Sequence, residues 1–291
     1  MIPPNVIVVG VDFSDGSLAA LAGAALLAGH SKAELRVVHV EDPLLAAAAS
    51  ERGYHLSAES REELDRLVAR VPEAEALSPQ RYVVTGHPVE VILDVACREG
   101  ADLIVVASHG MSGPARAFFG SVTEGLLHRS DRSMLVVPAE WRLPNAKEGP
   151  RRLGPIVVGL DFSSSATAAL HAACRVAEAF STSVEVVHVV PDLPVLDRWR
   201  PHADAALVER TDLARREVAR VLGGISTPVA IQSRIEQGPV ADRLAEIAVP
   251  WGARQPLIML GKRSADRGGA PGAIAYRVLT LARAPVLMHI P

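Results

Sequence analysis

The sequence predicts an α/β protein that consists of two tandem, doubly wound, Rossmann-like domains, each built on a five-stranded parallel sheet. The first observation is an internal repeat, because Val8–Ser14 recurs as Val157–Ser163 and Val37–Val40 recurs as Val186–Val189, in each case 149 residues later. The second is the alternation, within each repeat, of short aliphatic runs with longer segments of helical periodicity. Such alternation is typical of βαβ units around a parallel sheet. The repeat also predicts that the two domains pack as a pseudo-twofold pair.

Five aliphatic runs in the first repeat have the length of strands. They are continuous rather than alternating, which is typical of strands that are covered by helices on both faces. The predicted strands are Val6–Val11, Leu35–Val40, Arg81–Val84, Leu103–Ala107 and Met134–Val137.

The segments between these runs predict helices, about four in each repeat. Gly16–Ser31 is uncharged and rich in Ala and Gly, and it is shorter than the ~20 residues that span a bilayer, so we predict a buried helix there. Amphipathic helices are indicated where apolar side chains recur at i, i+3, i+4 and i+7. These positions are Leu64, Leu67, Val68 and Val71 in the first repeat, and Leu207, Thr211, Ala214, Val218 and Val221 in the second.

Composition predicts the domain boundaries. Residues 139–154 are rich in Pro, Gly and charge, as is typical of a linker. We therefore predict a first domain at residues 1–140, a linker at 141–154 and a second domain at 155–291.

Composition also argues against several classes of partner. The 291 residues are 49% hydrophobic and only 4% aromatic, so the predicted core is aliphatic. A formal net charge of −3 argues against a nucleic-acid partner held by a basic face. Cys97 and Cys174 cannot form a disulfide framework and are predicted to be buried apolar side chains in a reducing compartment. The N-terminus lacks the basic segment of a signal peptide, so we expect a cytoplasmic protein with no membrane partner.

Residues that could bind a ligand follow two of the predicted strands. Ligands of open α/β sheets bind beyond the carboxyl ends of the strands. Asp12 ends the first strand, and residues 107–114 form a glycine-containing loop after the fourth, which runs on to Gly120-Ser121 and a helix at 122–129. Such a loop allows the backbone amides of the helix N-terminus to approach a phosphate. A carboxylate on a neighbouring strand suits a ribose hydroxyl or Mg²⁺.

Structural explanations exist for the same residues. Ser121 and Glu124 have the spacing of a capping box, and Asp12 could cap the first helix. A P-loop around Gly261-Lys262 fails, because Pro256 and Arg263 replace the required glycine and hydroxyl.

The residues after the strands resemble the ATP-binding branch of the universal stress protein family. That branch carries G-x2-G-x9-G-[S/T] after its fourth strand, which matches Gly110, Gly120 and Ser121, whereas Ala107 replaces the first glycine and adds a methyl near the phosphates. The resemblance covers nearly the whole chain and implies an adenine nucleotide as ligand, namely ATP with or without Mg²⁺. The positions it implies in the first domain are Gly10, Val11, Asp12, Ser14, Val40, Ala107, Ser108, His109, Gly110, Met111, Gly113, Arg116, Gly120, Ser121 and Val122.

The second domain departs further from this motif. Ser264 stands where a glycine is expected, and Gly272-Ala273 replaces Gly120-Ser121, so a hydroxyl is lost. Each lost hydrogen bond to a charged phosphate costs roughly 1.5–3 kcal/mol, whereas Lys262, Arg263 and Arg267 add positive charge. We predict an intact first site and a weakened or altered second one. The implied second-domain positions are Gly159, Asp161, Val189, Gly261, Lys262, Arg263, Gly272 and Ala273.

Three functions are compatible with these residues: an ATP-binding regulator of stress response or growth, a slow ATPase at the same site, and a nucleotide-free scaffold for protein partners. We favour the regulator, because hydrolysis needs a base near the γ-phosphate and Asp12 is better placed for ribose or metal. His39 and His188 are predicted to be packed, hydrogen-bonded side chains, and no catalytic residue is assigned. The resemblance further implies that the last strands of the two domains meet at their seam, and it makes a homodimer plausible.

Overall fold

The computed structural model of the chain describes residues 3–110, 120–142, 152–193, 195–249, 254–262 and 271–291. The strands are β1 (Val6–Val11), β2 (Glu34–Glu41), β3 (Gln80–Thr85), β4 (Leu103–Ala107), β5 (Ser133–Val137), β6 (Arg152–Gly159), β7 (Val184–Val190), β8 (Ile231–Gln237), β9 (Arg254–Gly261) and β10 (Val286–His289). The helices are α1 (Asp15–Ser31), α2 (Pro43–Glu51), α3 (Leu56–Ala69), α4 (Pro72–Ala76), α5 (Pro88–Arg98), α6 (Ser121–Arg129), α7 (Ser164–Ala179), α8 (Arg200–Gly223), α9 (Val240–Ile247) and α10 (Ala273–Leu281), with a short 3₁₀ turn at Asp197–Trp199.

These elements confirm the predicted fold class. The strands form one sheet in the order β3-β2-β1-β4-β5-β10-β9-β6-β7-β8. Strands are parallel within the first half (β1–β5) and within the second half (β6–β10). The two halves join where β5 and β10 pair antiparallel, with Leu135 opposite Leu287. The last strands therefore meet at the seam, as the resemblance implied, whereas a homodimer and the exact domain boundaries stay predictions.

Within its described residues, the first half contains six helices where about four were predicted. The additional short helices α2 and α4 each begin at a proline, Pro43 and Pro72, whose fixed φ suits the first helical position. Val71, predicted to continue the amphipathic helix, instead precedes Pro72 with φ −119° and ψ 88°, because a residue before proline avoids helical geometry.

Alternate strand residues supply two aliphatic cores, one on each face of the sheet. In β1, Ile7 and Val9 face the core beneath α1, whereas Val8 faces the core beneath α5 and α6. Helix α1 is buried along most of its length, as predicted for the uncharged segment. Cys174 is buried as predicted, but Cys97 is exposed, so that part of the prediction is wrong. Among the described residues, no helix is both long enough and apolar enough to cross a bilayer.

The seam contains a buried histidine that predicts acid sensitivity. His289 in β10 is 5% exposed, and its Nδ1 lies 3.3 Å from Ser133 Oγ of β5. Burial, together with the charge of Arg175, lowers the pKa of His289 from 6.5 to about 4. Between these values the unfolded chain binds a proton that the native chain does not, so stability falls as the pH drops.

We expect His289 to remove about 3 kcal/mol from the free energy of unfolding as the pH falls from 7 to 4. The variant that tests this is His289→Val. Valine is chosen because Val137 is the equivalent residue of the first half. Ser108 N donates to Val137 O, and Lys262 N donates to His289 O, each over 2.8 Å. Urea unfolding at several pH values should show a shallower acid slope for the variant. Equal slopes would contradict the assignment.

Candidate functional site

A pocket opens where the strand order of the first half reverses, between the carboxyl ends of β1 and β4. This position is the one at which open α/β sheets bind ligands. The cavity has a volume of about 370 Å³, within the range of small-molecule sites. Ten of the predicted residues line it: Gly10, Val11, Asp12, Val40, Ala107, His109, Gly110, Gly120, Ser121 and Val122.

The N-terminus of α6 forms one wall of this pocket. Gly120 is the N-cap residue, with φ −60° and ψ 145°, and no side chain of the described residues caps the helix. The capping-box interpretation is therefore wrong, because Ser121 is already the first helical residue and its side chain is exposed. Thr123 Oγ1 donates to Ala107 O over 2.7 Å and fixes the helix to the end of β4. The first amides of α6, which have no acceptor within the helix, thus remain at the pocket.

Asp12 is held rigidly at the opposite wall. Its Oδ1 accepts hydrogen bonds from Ser14 N (3.2 Å), Ser14 Oγ (2.6 Å) and Ser17 Oγ (2.7 Å). Ser17 Oγ in turn accepts from Asp12 N over 2.8 Å. The cap of α1 is Ser14, which accepts from Ser17 N, so the alternative that Asp12 is the N-cap is wrong. Ser14, which was predicted at the ligand, hydrogen-bonds Asp12 and does not line this pocket.

Gly110 and His109 connect the two walls. A Cβ atom on Gly110 would overlap Asp12 Oδ2, so only glycine permits this approach. His109 Nδ1 lies 3.0 Å from Ser108 Oγ, while its Nε2 is buried and has no hydrogen-bond partner among the described residues. A buried polar atom without a partner costs free energy, so a polar ligand atom at His109 Nε2 would be stabilising. Ser108 is itself buried and lies outside this pocket.

The histidines that recur near the ends of β2 and β7 each pack against a phenylalanine and donate to a backbone carbonyl. Phe13 adopts φ +65°, and its ring stacks on His39 with centroids 4.0 Å apart. His39 donates from Nδ1 to Val11 O over 3.1 Å, and burial lowers its pKa, so the ring is neutral at pH 7. The second half repeats this with Phe162 at φ +61° and with His188, which donates to Leu160 O over 2.7 Å. The prediction that both histidines are packed, hydrogen-bonded side chains is confirmed.

Apart from Val40, the apolar end of the pocket was missed by the sequence analysis. Its side chains come from β2, from β4 and from the start of α5, which no local pattern brings together. The missed lining residues are Ser17, Val38, Pro88, Ile92, Val106 and Thr123. The internal repeat offered a signal for Ser17, because the first half has a hydroxyl side chain at this position where the second half has Ala166.

The equivalent region of the second half is built differently. Asp161 is exposed and accepts from Ser163 N over 3.0 Å and from Ser163 Oγ, without the counterpart of Ser17. Val189 is buried, whereas its counterpart Val40 is partly exposed in the first pocket. Gly272 is the N-cap of α10 and Ala273 its first helical residue, as Gly120 and Ser121 are for α6.

Two glycines of the second half are enclosed by protein atoms. A Cβ on Gly159 would lie 2.8 Å from Leu260 Cδ2, and a Cβ on Gly261 would overlap the backbone of Ser165. Gly159 is therefore packed between leucines, and Gly261 lies against the first turn of α7.

The structure corrects the predicted role of Lys262. We predicted that it adds charge to the second loop, but it is 7% exposed, and its Nζ donates to Leu127 O (2.8 Å) and Ser130 O (3.1 Å) of the first half. The last carbonyls of α6 lack acceptor roles within the helix and carry partial negative charge, so they attract this ammonium group. Met111, Gly113, Arg116 and Arg263 lie outside the described residues.

The fold and this crevice define a protein of two doubly wound α/β domains in tandem, with a pocket beyond the strand ends of the first. The sequence model of the universal stress protein family matches residues 4–138 and 153–289. The chain therefore belongs to the universal stress protein family.

Individual relatives agree with this assignment. Universal stress protein Rv2005c of Mycobacterium tuberculosis is 28% identical over 97% of this chain and 96% of its own length. The crystal structure of a universal stress protein from Archaeoglobus fulgidus has the same fold, with a TM-score of 0.65 and 21% identity over 98% of this chain and 97% of that one. A universal stress protein solved in complex with cAMP is 29% identical over 47% of this chain and 98% of that one, with a TM-score of 0.35.

Proposed function

We propose that the first-half pocket binds an adenine nucleotide, with ATP as its ligand, and that the protein is a nucleotide-dependent regulator of stress response or growth. The observation that supports this most is the polarity of the pocket. Its α6 end presents amides and the unpartnered His109 Nε2, whereas its other end is formed by Val38, Val40 and Ile92. A phosphate chain suits the first end and a flat base suits the second.

The residues have distinct roles in this proposal. The amides of Ser121 and Val122 donate to phosphate oxygens, with the dipole of α6 favouring the negative charge. The carboxylate of Asp12 accepts from a ribose hydroxyl or contributes to holding Mg²⁺, which would neutralise part of the phosphate charge. Ser14 and Ser17 keep that carboxylate in place.

Regulation fits these groups better than turnover. Asp12 is the sole carboxylate among the described residues that line the pocket, and its Oδ1 already accepts three hydrogen bonds. A general base for hydrolysis must instead accept a proton from the attacking water. Bound nucleotide would then act by favouring one conformation or assembly over another.

Calorimetric titration of the full chain tests the proposal. We expect ATP to bind with one tight site per chain, because the second half has Ala166 in place of the serine that holds the carboxylate and packs Val189 inside. Gly120→Leu should abolish this site by filling the pocket. Gly120→Ala is the matched control, since a Cβ there meets Gly110 N at an ordinary 3.6 Å.

Four outcomes would count against the proposal. ATP binding that survives in Gly120→Leu would place the nucleotide elsewhere, and two equal tight sites would contradict the asymmetry. A protein that neither carries nor binds nucleotide would favour the scaffold. ADP production that disappears in Asp12→Ala would favour the ATPase.

A further inference from the structure

A second cavity, of about 550 Å³, lies between the two halves. We call it the seam cavity. The first half lines it with Asp15, Ser108 and Glu140, among others, and the second half lines it with Leu279, Thr280 and Ala282 at the C-terminal end of α10. It shares His109 and Gly110 with the pocket described above but opens on their other side, toward α10.

The pseudo-symmetric counterpart of the seam cavity is filled by a lysine. Ser108 and Lys262 are equivalent, because each follows the strand that pairs with the seam strand of its half, β4 with β5 and β9 with β10. Each donates its backbone N–H to the last residue of that seam strand, over 2.8 Å in both cases. Lys262 extends from this position across the seam to the C-terminal carbonyls of α6. Serine at the same position in the first half is too short to make the reciprocal contact with α10.

The two helix ends that face these positions are also equivalent. Ser130 N donates to Leu126 O and Ala282 N donates to Val278 O, each over 2.8 Å. The two helices therefore end with the same hydrogen bond. Leu279 and Ala282 therefore correspond to Leu127 and Ser130, the two residues whose carbonyls accept from Lys262 Nζ. A helix C-terminus attracts cations because its last carbonyls lack partners within the helix.

We propose that the seam cavity binds a small primary alkylammonium ion, which takes the place that the Lys262 side chain occupies in the other half. Its ammonium group would donate to the carbonyls of Leu279 and Ala282, and its alkyl chain would fill the space beside Ser108.

The charges around the seam cavity agree with a cationic ligand. Asp15 and Glu140 line it. The cationic side chain in its described lining is that of Arg142, whose Nη1 donates to the backbone carbonyls of Ala139 and Trp141. A ligand with a second ammonium group could pair with Glu140, so linear diamines belong to the same class.

The probe that tests this is n-butylammonium, the lysine side chain without its Cα atom. At constant ionic strength and without nucleotide, we expect it to raise the thermal midpoint of the full chain saturably, with a millimolar Kd. n-Butanol, which lacks the charge, and tetramethylammonium, which lacks N–H donors, should have no saturable effect. Since no nucleotide is present, this result stands or falls independently of the proposed function.

Two variants complete the test. Ser108→Lys copies the second half and should fill the seam cavity, so it should unfold at a higher temperature than the parent and lose its response to n-butylammonium. Glu140→Gln, at an exposed position, should weaken binding about two- to fivefold. The proposal is overturned if n-butylammonium has no saturable effect, if n-butanol acts equally, or if Ser108→Lys responds like the parent. Should Ser108→Lys fail to fold, an unchanged Kd in Glu140→Gln overturns it.

Discussion

Gly110→Ala is expected to lower the ATP affinity of the site proposed in the first-half pocket by about a hundredfold. The added Cβ would overlap Asp12 Oδ2, and Asp12 cannot move away cheaply because Ser14 and Ser17 hold its other oxygen. The loop must shift instead and carry His109 away from the phosphates. Loss of two hydrogen bonds to charged oxygens, at roughly 1.5 kcal/mol or more each, accounts for that factor.

Titration calorimetry on Gly110→Ala measures this loss, and a double-mutant cycle identifies its cause. If the overlap with Asp12 is responsible, the effects of Gly110→Ala and Asp12→Ala should be strongly non-additive, because removing the carboxylate removes the overlap. Additive losses, or wild-type affinity in Gly110→Ala, would contradict this account of the glycine.

Alanine at position 261 should lower the free energy of unfolding by about 3 kcal/mol, the upper part of the range for overpacked interiors. Its Cβ would overlap the backbone of Ser165 and lie 2.7 Å from Ala166 N. A backbone in the first turn of α7 cannot rotate aside as a side chain can. Urea unfolding should therefore show a lower midpoint with an unchanged slope.

A control variant distinguishes overlap from a general effect of losing glycine. Gly29→Ala, in α1 with no atom within 4 Å of the new Cβ, should stabilise the chain by up to about 1 kcal/mol. Equal destabilisation by Gly261→Ala and Gly29→Ala would be inconsistent with overlap as the cause.

The fold could be predicted because its signals are local and repeated. β1 and β4 begin and end at the predicted residues, since each is an unbroken aliphatic run bounded by polar or small residues. Asp12 and the loop that contains Gly110 were predicted to meet because parallel strands end at one edge of the sheet. The structure brings them into contact.

Other features depend on contacts that no local pattern encodes. Ser121 has the spacing of a capping box, yet the Thr123 bond to Ala107 O places the helix start at Ser121 itself. The sequence places Lys262 at the start of a loop, which suggests an exposed cation. It follows β9 near the seam, however, where the end of α6 offers it acceptors. Ile92 and Pro88 reach the pocket from α5 only because the chain crosses over the sheet.

The antiparallel junction of β5 and β10 also has an evolutionary consequence. The two halves, which a homodimer would encode with one gene segment, are here encoded by separate segments of a single polypeptide. A substitution in one half is not copied into the other, so the serine at 108 and the lysine at 262 could diverge at equivalent places. The covalent connection also makes their ratio one to one at every protein concentration, since dilution cannot separate them.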